Sequence, residues 1–210
     1  MYVRNQNYND CVVNSLNAAY EIEYNIKYGK PFIFKNIKGF SNGYGYTIAR
    51  QEMKTFPMNT GLFPRNVIKL YNKKGTSPEY FMPYNKYKLD SVPDLKSTFA
   101  SNFYKIKYYE AVTIDQLPYV LSNNKPVLIS MDLDGTFLSY RRGEILDTSD
   151  GKLLGGHAMV AVGIKKKYNK IIVKVLNSWG KFLGDGGYWY MTLDYLKTCS
   201  HHRTFWCIYV

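Results

Sequence analysis

Apolar residues return at positions 12, 13, 16, 19 and 20, a spacing that predicts one buried helical face beginning at Cys11. Asn9 or Asp10 stands where such a helix needs its cap. Gly39 to Gly45 reads as a glycine- and aromatic-rich loop. Val67, Ile68, Leu70 and Tyr71 predict a second short helix over Arg65–Lys73, ended by Gly75, and Leu117, Val120 and Leu121 predict another between Thr113 and Asn123. Downstream the pattern changes. Lys125-Pro126-Val127-Leu128-Ile129-Ser130-Met131 reads as a strand, and Ala158–Ile164 and Lys170–Leu176 as a long hairpin with a basic turn over Lys165–Asn169. Tyr188–Thr192 and Phe205–Val210 extend the sheet. Helices early and antiparallel strands late predict an α+β fold. We expect one domain over 1–210, helical to about 110 and β-rich from about 111.

Four polar residues stand out against this frame. Cys11 falls in the first turn of the buried helix, where the helix dipole and unpaired N–H groups favour a thiolate. His157 opens a strand after Gly155 and Gly156, and two glycines leave the ring accessible for acid–base work. Asn177 lies in Asn177-Ser178-Trp179-Gly180, and Gln6 precedes Cys11 by five residues. The order Gln, Cys, His, Asn supplies an oxyanion donor, a nucleophile, a base and an amide that orients it, as thiol acyl transfer requires.

With these residues placed, the chain resembles the papain-like cysteine peptidases. Asn177-Ser178-Trp179-Gly180, followed by Gly184-Asp185-Gly186-Gly187-Tyr188, is similar to that family's Asn-Ser-Trp-Gly segment and its glycine-rich continuation. Gly156-His157-Ala158-Met159-Val160-Ala161-Val162-Gly163 is similar to its catalytic-histidine strand, and Pro83-Tyr84 to the end of its Tyr-Pro-Tyr segment. Asn9-Asp10 stand where relatives carry Gly-Ser before the cysteine, and Val12 where they carry tryptophan.

The resemblance implies a two-lobed fold and a catalytic set of Cys11, His157, Asn177 and Gln6. It implies substrate contacts at Thr60, Gly61, Leu62, Gly155, Gly156 and Trp179, with Leu62, Phe63, Ser130 and Gly155 around an uncharged second subsite. It also implies hydrolysis of peptide bonds through an acyl-enzyme, without cofactor or metal, by a monomer of bacterial or viral origin. The likeness starts at Arg4-Asn5-Gln6, where mature relatives begin, so the usual inhibitory pro-segment is not expected. Two alternatives stand beside this reading: a transpeptidase or amidase on the same scaffold, and a catalytically dead module that binds peptide or a partner chain.

Composition narrows the picture. With 28 Lys and Arg against 16 Asp and Glu, the formal charge is +12, which favours anionic partners and acidic protein substrates. The lysines are scattered and no nucleic-acid-binding motif is legible, so nucleic acid is not expected. No apolar run is long enough to span a bilayer. Three cysteines make no disulfide framework and fit a reducing, cytoplasmic compartment, with a Cys199–Cys207 pair left open. The spacing of Cys199, His201, His202 and Cys207 matches no zinc pattern.

Overall fold

The computed structural model describes residues 3–200 and 203–210, so His201 and His202 lie outside the described residues. The chain forms two compact units. One holds residues 7–109 and 208–210, the other residues 3–6 and 110–207.

The first unit is built on helix α1, Cys11–Tyr28. Its face from Val12 to Tyr20 is buried, as the apolar spacing requires, and Gly29 ends it in the left-handed conformation. A two-residue hairpin follows, β1 (Ile33–Phe34) and β2 (Ile37–Lys38), turning through Lys35 and Asn36. Helices α2 (Asn42–Glu52), α3 (Pro64–Lys74) and α4 (Leu95–Ser101) complete the unit.

Helix α2 corrects the expectation of a loop over Gly39–Gly45. Ser41 caps it by accepting the Tyr44 N–H at 3.0 Å. Glycine is a poor helix former, but Gly45 stands where a Cβ would lie 2.0 Å from the Tyr71 hydroxyl and 2.8 Å from Val13. Close approach of α1, α2 and α3 therefore excludes a side chain there. Buried asparagines fasten the same contact. Asn17 Nδ2 donates to Asn42 Oδ1 at 2.8 Å, and Asn42 Nδ2 donates to Asn14 Oδ1 at 2.7 Å. Satisfied amides of this kind fix one packing register where apolar residues would allow several.

The second unit carries the larger part of β3 (Tyr108–Val112) and of β8 (Phe205–Tyr209), and all of α5 (Leu117–Ser122), β4 (Val127–Leu133), α6 (Gly135–Leu138), β5 (Gly155–Lys167), β6 (Lys170–Leu176), β7 (Tyr188–Thr192) and α7 (Leu193–Cys199). Its strands lie in the order β3-β8-β4-β5-β6-β7. The pairs β4–β5, β4–β8, β5–β6 and β6–β7 are antiparallel. The fold class is α+β.

The β5–β6 ladder runs out to Lys167 opposite Lys170, so its turn is Tyr168-Asn169, both at positive φ, rather than the longer basic turn expected. Helix α5 begins later than Thr113. Thr113 and Gln116 instead bond each other's backbone N–H, and Pro118 occupies the first helical turn. No helix among the described residues is long and apolar enough to cross a membrane.

Candidate active site

In the second unit, the β4–β5 register sets Met131 opposite His157, and β6 delivers Asn177 at its end. Asn177 Oδ1 receives two donors, the Ser178 backbone N–H at 2.7 Å and His157 Nε2 at 2.8 Å. The backbone donor fixes which end of the amide is oxygen. An amide oxygen only accepts, so Nε2 carries the ring proton and Nδ1 presents the lone pair. Trp179 stacks on the imidazole with centroids 4.8 Å apart, and Phe137 closes from another side at 6.4 Å. Trp179 is itself held edge-to-face by Phe137 and Trp189. This aromatic enclosure buries His157 and pushes its pKa from 6.5 down to about 4, against the Asn177 hydrogen bond, which acts to raise it.

The strand-like stretch before Gln6 is tied to the same motif. Gln6 N donates to the Ser178 carbonyl at 2.8 Å, Gly180 N to the Arg4 carbonyl at 2.8 Å, and Asn5 pairs with Trp179. The Ser178 hydroxyl donates to Gln6 Oε1 at 2.6 Å, so the carbonyl end of that amide is anchored and Nε2 is its outward donor. Asn177, Ser178 and Trp179 thus position His157 and Gln6 together. Gly155 and Gly156 begin β5 just before the histidine, and Gly155, at φ +155°, has open space where a Cβ would project.

In the first unit, Cys11 is half-buried at the first residue of α1. The expected cap differs from what is found. Asp10 precedes the helix but its side chain makes no capping hydrogen bond. Its carboxylate is fully buried and accepts the Tyr84 hydroxyl at 2.7 Å. Burial raises its pKa from 3.8 to about 6, with the Tyr84 bond opposing the rise. Tyr84 also accepts the Asn7 backbone N–H at 3.0 Å. Asn9 N donates to Asn59 Oδ1 at 2.9 Å while Asn9 Nδ2 donates to the Asn59 carbonyl at 3.1 Å. The loop that replaces Gly-Ser is therefore held at both ends by side chains of its own unit. Tyr8, packed among the rings of Tyr46, Tyr84 and Tyr87, closes it over.

The segment Thr60-Gly61-Leu62 lies in this first unit too, and its support was not legible in the sequence. Arg50 is fully buried with no carboxylate partner among the described residues, and its guanidinium donates to the carbonyls of Pro57 at 2.9 Å, Met58 at 3.1 Å and Leu89 at 2.9 Å. Tyr46 donates to Asn59 Oδ1 at 2.9 Å and to the Thr60 carbonyl at 2.8 Å. The Thr60 hydroxyl turns inward to Thr55 at 3.1 Å. At Gly61 no atom lies within 4 Å of where a Cβ would project, so no close approach inside this unit demands glycine there. Leu62 is buried, whereas Phe63 is 71% exposed. Ser130 is buried on β4 in the other unit.

Cys199 and Cys207 are buried thiols, and Cys207 Sγ donates to the Pro126 carbonyl at 3.8 Å. Among the described residues no group of three or more His, Cys, Asp or Glu is gathered to hold a metal ion.

Known proteins place this arrangement. A family model described as papain family cysteine protease matches residues 54–208. An uncharacterised peptidase C1-like protein of Acanthamoeba polyphaga mimivirus is 26% identical over 71% of this chain and 52% of its own length. Cysteine proteinase 3 of Entamoeba histolytica is 32% identical over 41% of this chain and 29% of its own. The chain thus spans about half, or less, of the length of these relatives.

The whole chain superposes on two solved structures. They are xylellain, a cysteine protease from Xylella fastidiosa (TM-score 0.84, 22% identity, 83% of that chain), and the bromelain protease of Ananas comosus in complex with the E64 inhibitor (0.78, 23%, 94%). At such identities the likeness is one of fold. Taken with the family match over most of the sequence, it shows that the chain belongs to the papain family of cysteine proteases.

Proposed function

We propose that this cysteine peptidase is an active endopeptidase that hydrolyses peptide bonds through a Cys11 thioester. The observation that carries the reading is the pair of hydrogen bonds accepted by Asn177 Oδ1, which sets the His157 proton on Nε2 and leaves Nδ1 to exchange a proton with a thiol. Cys11 Sγ attacks the scissile carbonyl, a C–S bond forms, and the oxyanion takes donors from Gln6 Nε2 and the Cys11 backbone N–H. His157 passes its Nδ1 proton to the leaving amine as the C–N bond breaks. Water, deprotonated by the same nitrogen, then cleaves the thioester. Burial alone drives the imidazole toward its neutral form, so an imidazolium here depends on a thiolate beside it. In this reading Thr60, Gly61, Leu62, Gly155, Gly156 and Trp179 contact an extended protein or peptide substrate.

One observation favours the alternative, a catalytically dead peptide-binding module: the buried Asp10 carboxylate directly precedes the nucleophile and opposes its ionisation. Turnover separates the two. Cys11→Ala and His157→Ala should each abolish cleavage of a fluorogenic peptide library while leaving the circular dichroism unchanged, and Asn177→Ala should be milder because only ring orientation is lost. Wild-type turnover in either of the first two variants refutes the assignment. A wild-type protein that binds library peptides without cutting any establishes the dead module.

A further inference from the structure

Away from the nucleophile loop, the first unit exposes an apolar surface that its own fold does not cover. Helix α4 turns Leu95 and Phe99 outward, and Phe103 continues the stripe beyond its end; the three are 89%, 68% and 69% exposed. Spaced four apart, they form one helical face, which in a water-facing helix should be polar. With Phe34, Phe81 and Tyr104 they line an open groove of about 390 Å³. Phe99 and Phe103 pack edge-to-face 5.4 Å apart, and Phe34 lies 5.1 Å from Phe81. A contiguous apolar patch of this kind marks an interaction site.

Charge says what fills it. The groove lining includes Lys96 and no carboxylate. On the rim, Lys35 holds its ammonium 4.8 Å from the Tyr80 ring and 6.0 Å from that of Phe34. Lys35 does so from a left-handed backbone conformation (φ +46°) that glycine or asparagine would occupy with less strain. Asp94, next to the helix, is committed to capping it through the Ser97 N–H at 2.7 Å. Over residues 7–109 the chain carries 15 Lys and Arg against 7 Asp and Glu.

A second copy seated on this face would set Lys35 and Lys96 against their own equivalents, which like charges oppose. A bilayer would cover protruding side chains but leave a concave aromatic floor unfilled. We infer that this groove docks a protein segment carrying one or two bulky apolar side chains flanked by carboxylates, the apolar groups seated against Phe34, Phe81, Phe99 and Phe103 and the carboxylates meeting Lys35 and Lys96.

The test is a random twelve-residue phage library selected on Cys11→Ala protein and counter-selected on the same protein carrying Phe99→Ser and Lys96→Glu. Both changed residues are exposed, so folding is preserved and circular dichroism checks it. Selected peptides should pair Leu, Phe or Trp with Asp or Glu. In fluorescence anisotropy the best labelled peptide should bind the double variant at least about 30-fold more weakly. It should also lose affinity about threefold or more on going from low to high salt, since exposed charges are screened. An absent or basic consensus overturns the inference, as does equal binding to the variant. Stronger Phe99-dependent binding to phosphatidylserine vesicles than to peptide, or a dimer in solution that Phe99→Ser dissolves, would replace it with a membrane or a second copy.

Discussion

Asp10→Asn should stabilise this protein at neutral pH and leave it unchanged in acid. The Asp10 carboxyl is fully buried and titrates near 6 instead of 3.8. A group whose folded pKa is raised holds its stabilising contribution below the unfolded value and loses it as pH rises through the folded one. At pH 8 the ionised form therefore opposes folding by about 3 kcal/mol, since each pH unit of displacement is worth about 1.4 kcal/mol. Asparagine keeps an oxygen for the Tyr84 hydroxyl, and the charge-assisted strength of that bond is already contained in the net displacement. The gain of about 3 kcal/mol corresponds to roughly 7 °C in Tm for a chain of this size.

Where no thiolate pairs with the imidazole, as in Cys11→Ala, His157 works in the opposite sense: burial lowers its pKa to about 4, so stability is lost as pH falls from 6.5 toward 4, where the unfolded chain takes up the proton first. In that protein the two terms offset each other between pH 4 and 6.5, and adding Asp10→Asn should leave the acid loss due to His157 alone and steepen the profile. Thermal unfolding followed by circular dichroism from pH 4 to 8 reads this out. A variant less stable at pH 8, or a difference independent of pH, would refute the argument.

Other expectations follow from the same contacts. Arg50→Ala should cost about 3 kcal/mol or more by urea denaturation, because the carbonyls of Pro57, Met58 and Leu89 lose a buried donor; a cost under 1 kcal/mol would show that the loop holds itself. Gln6→Ala should lower kcat by about 10²-fold with little change in KM, and an effect confined to KM would assign the amide to substrate binding. At the residue two before the scissile bond, Leu, Val or Phe should be preferred at low and high ionic strength alike, given the uncharged positions at Leu62, Phe63, Ser130 and Gly155. A dominant preference for Arg or Lys would place an unassigned carboxylate in that subsite.

What the sequence revealed and what it hid divide along physical lines. The pattern at 12, 13, 16, 19 and 20 identified α1, and the alternating runs after 125 identified the central strands, because each buries one face with a regular period. Helix α2 stayed hidden because Gly43 and Gly45 suppress helical propensity, and they are explained only by packing: α1 and α3 close on Gly45, and the Tyr87 ring lies where a Cβ at Gly43 would project. Helix α4 stayed hidden for the opposite reason, since its apolar stripe faces solvent. The motif Asn177-Ser178-Trp179 was legible, but not that Ser178 holds Gln6, a bond spanning 172 residues. Nothing in the apolar pattern gathers Tyr8, Tyr46, Tyr84 and Tyr87, which pack around the loop before Cys11; only Tyr84 carried a signal, through its place after Pro83.

The claim on which the rest depends is that Cys11 works with a histidine. Alkylation of Cys11 by iodoacetamide, located by peptide mass mapping and timed from pH 4 to 10 in the wild type and in His157→Ala, tests it most directly. The wild-type thiol should remain reactive far below the ordinary cysteine pKa of about 8.5, and His157→Ala should return it to that range. Identical titrations near 8.5 in both proteins would contradict the account.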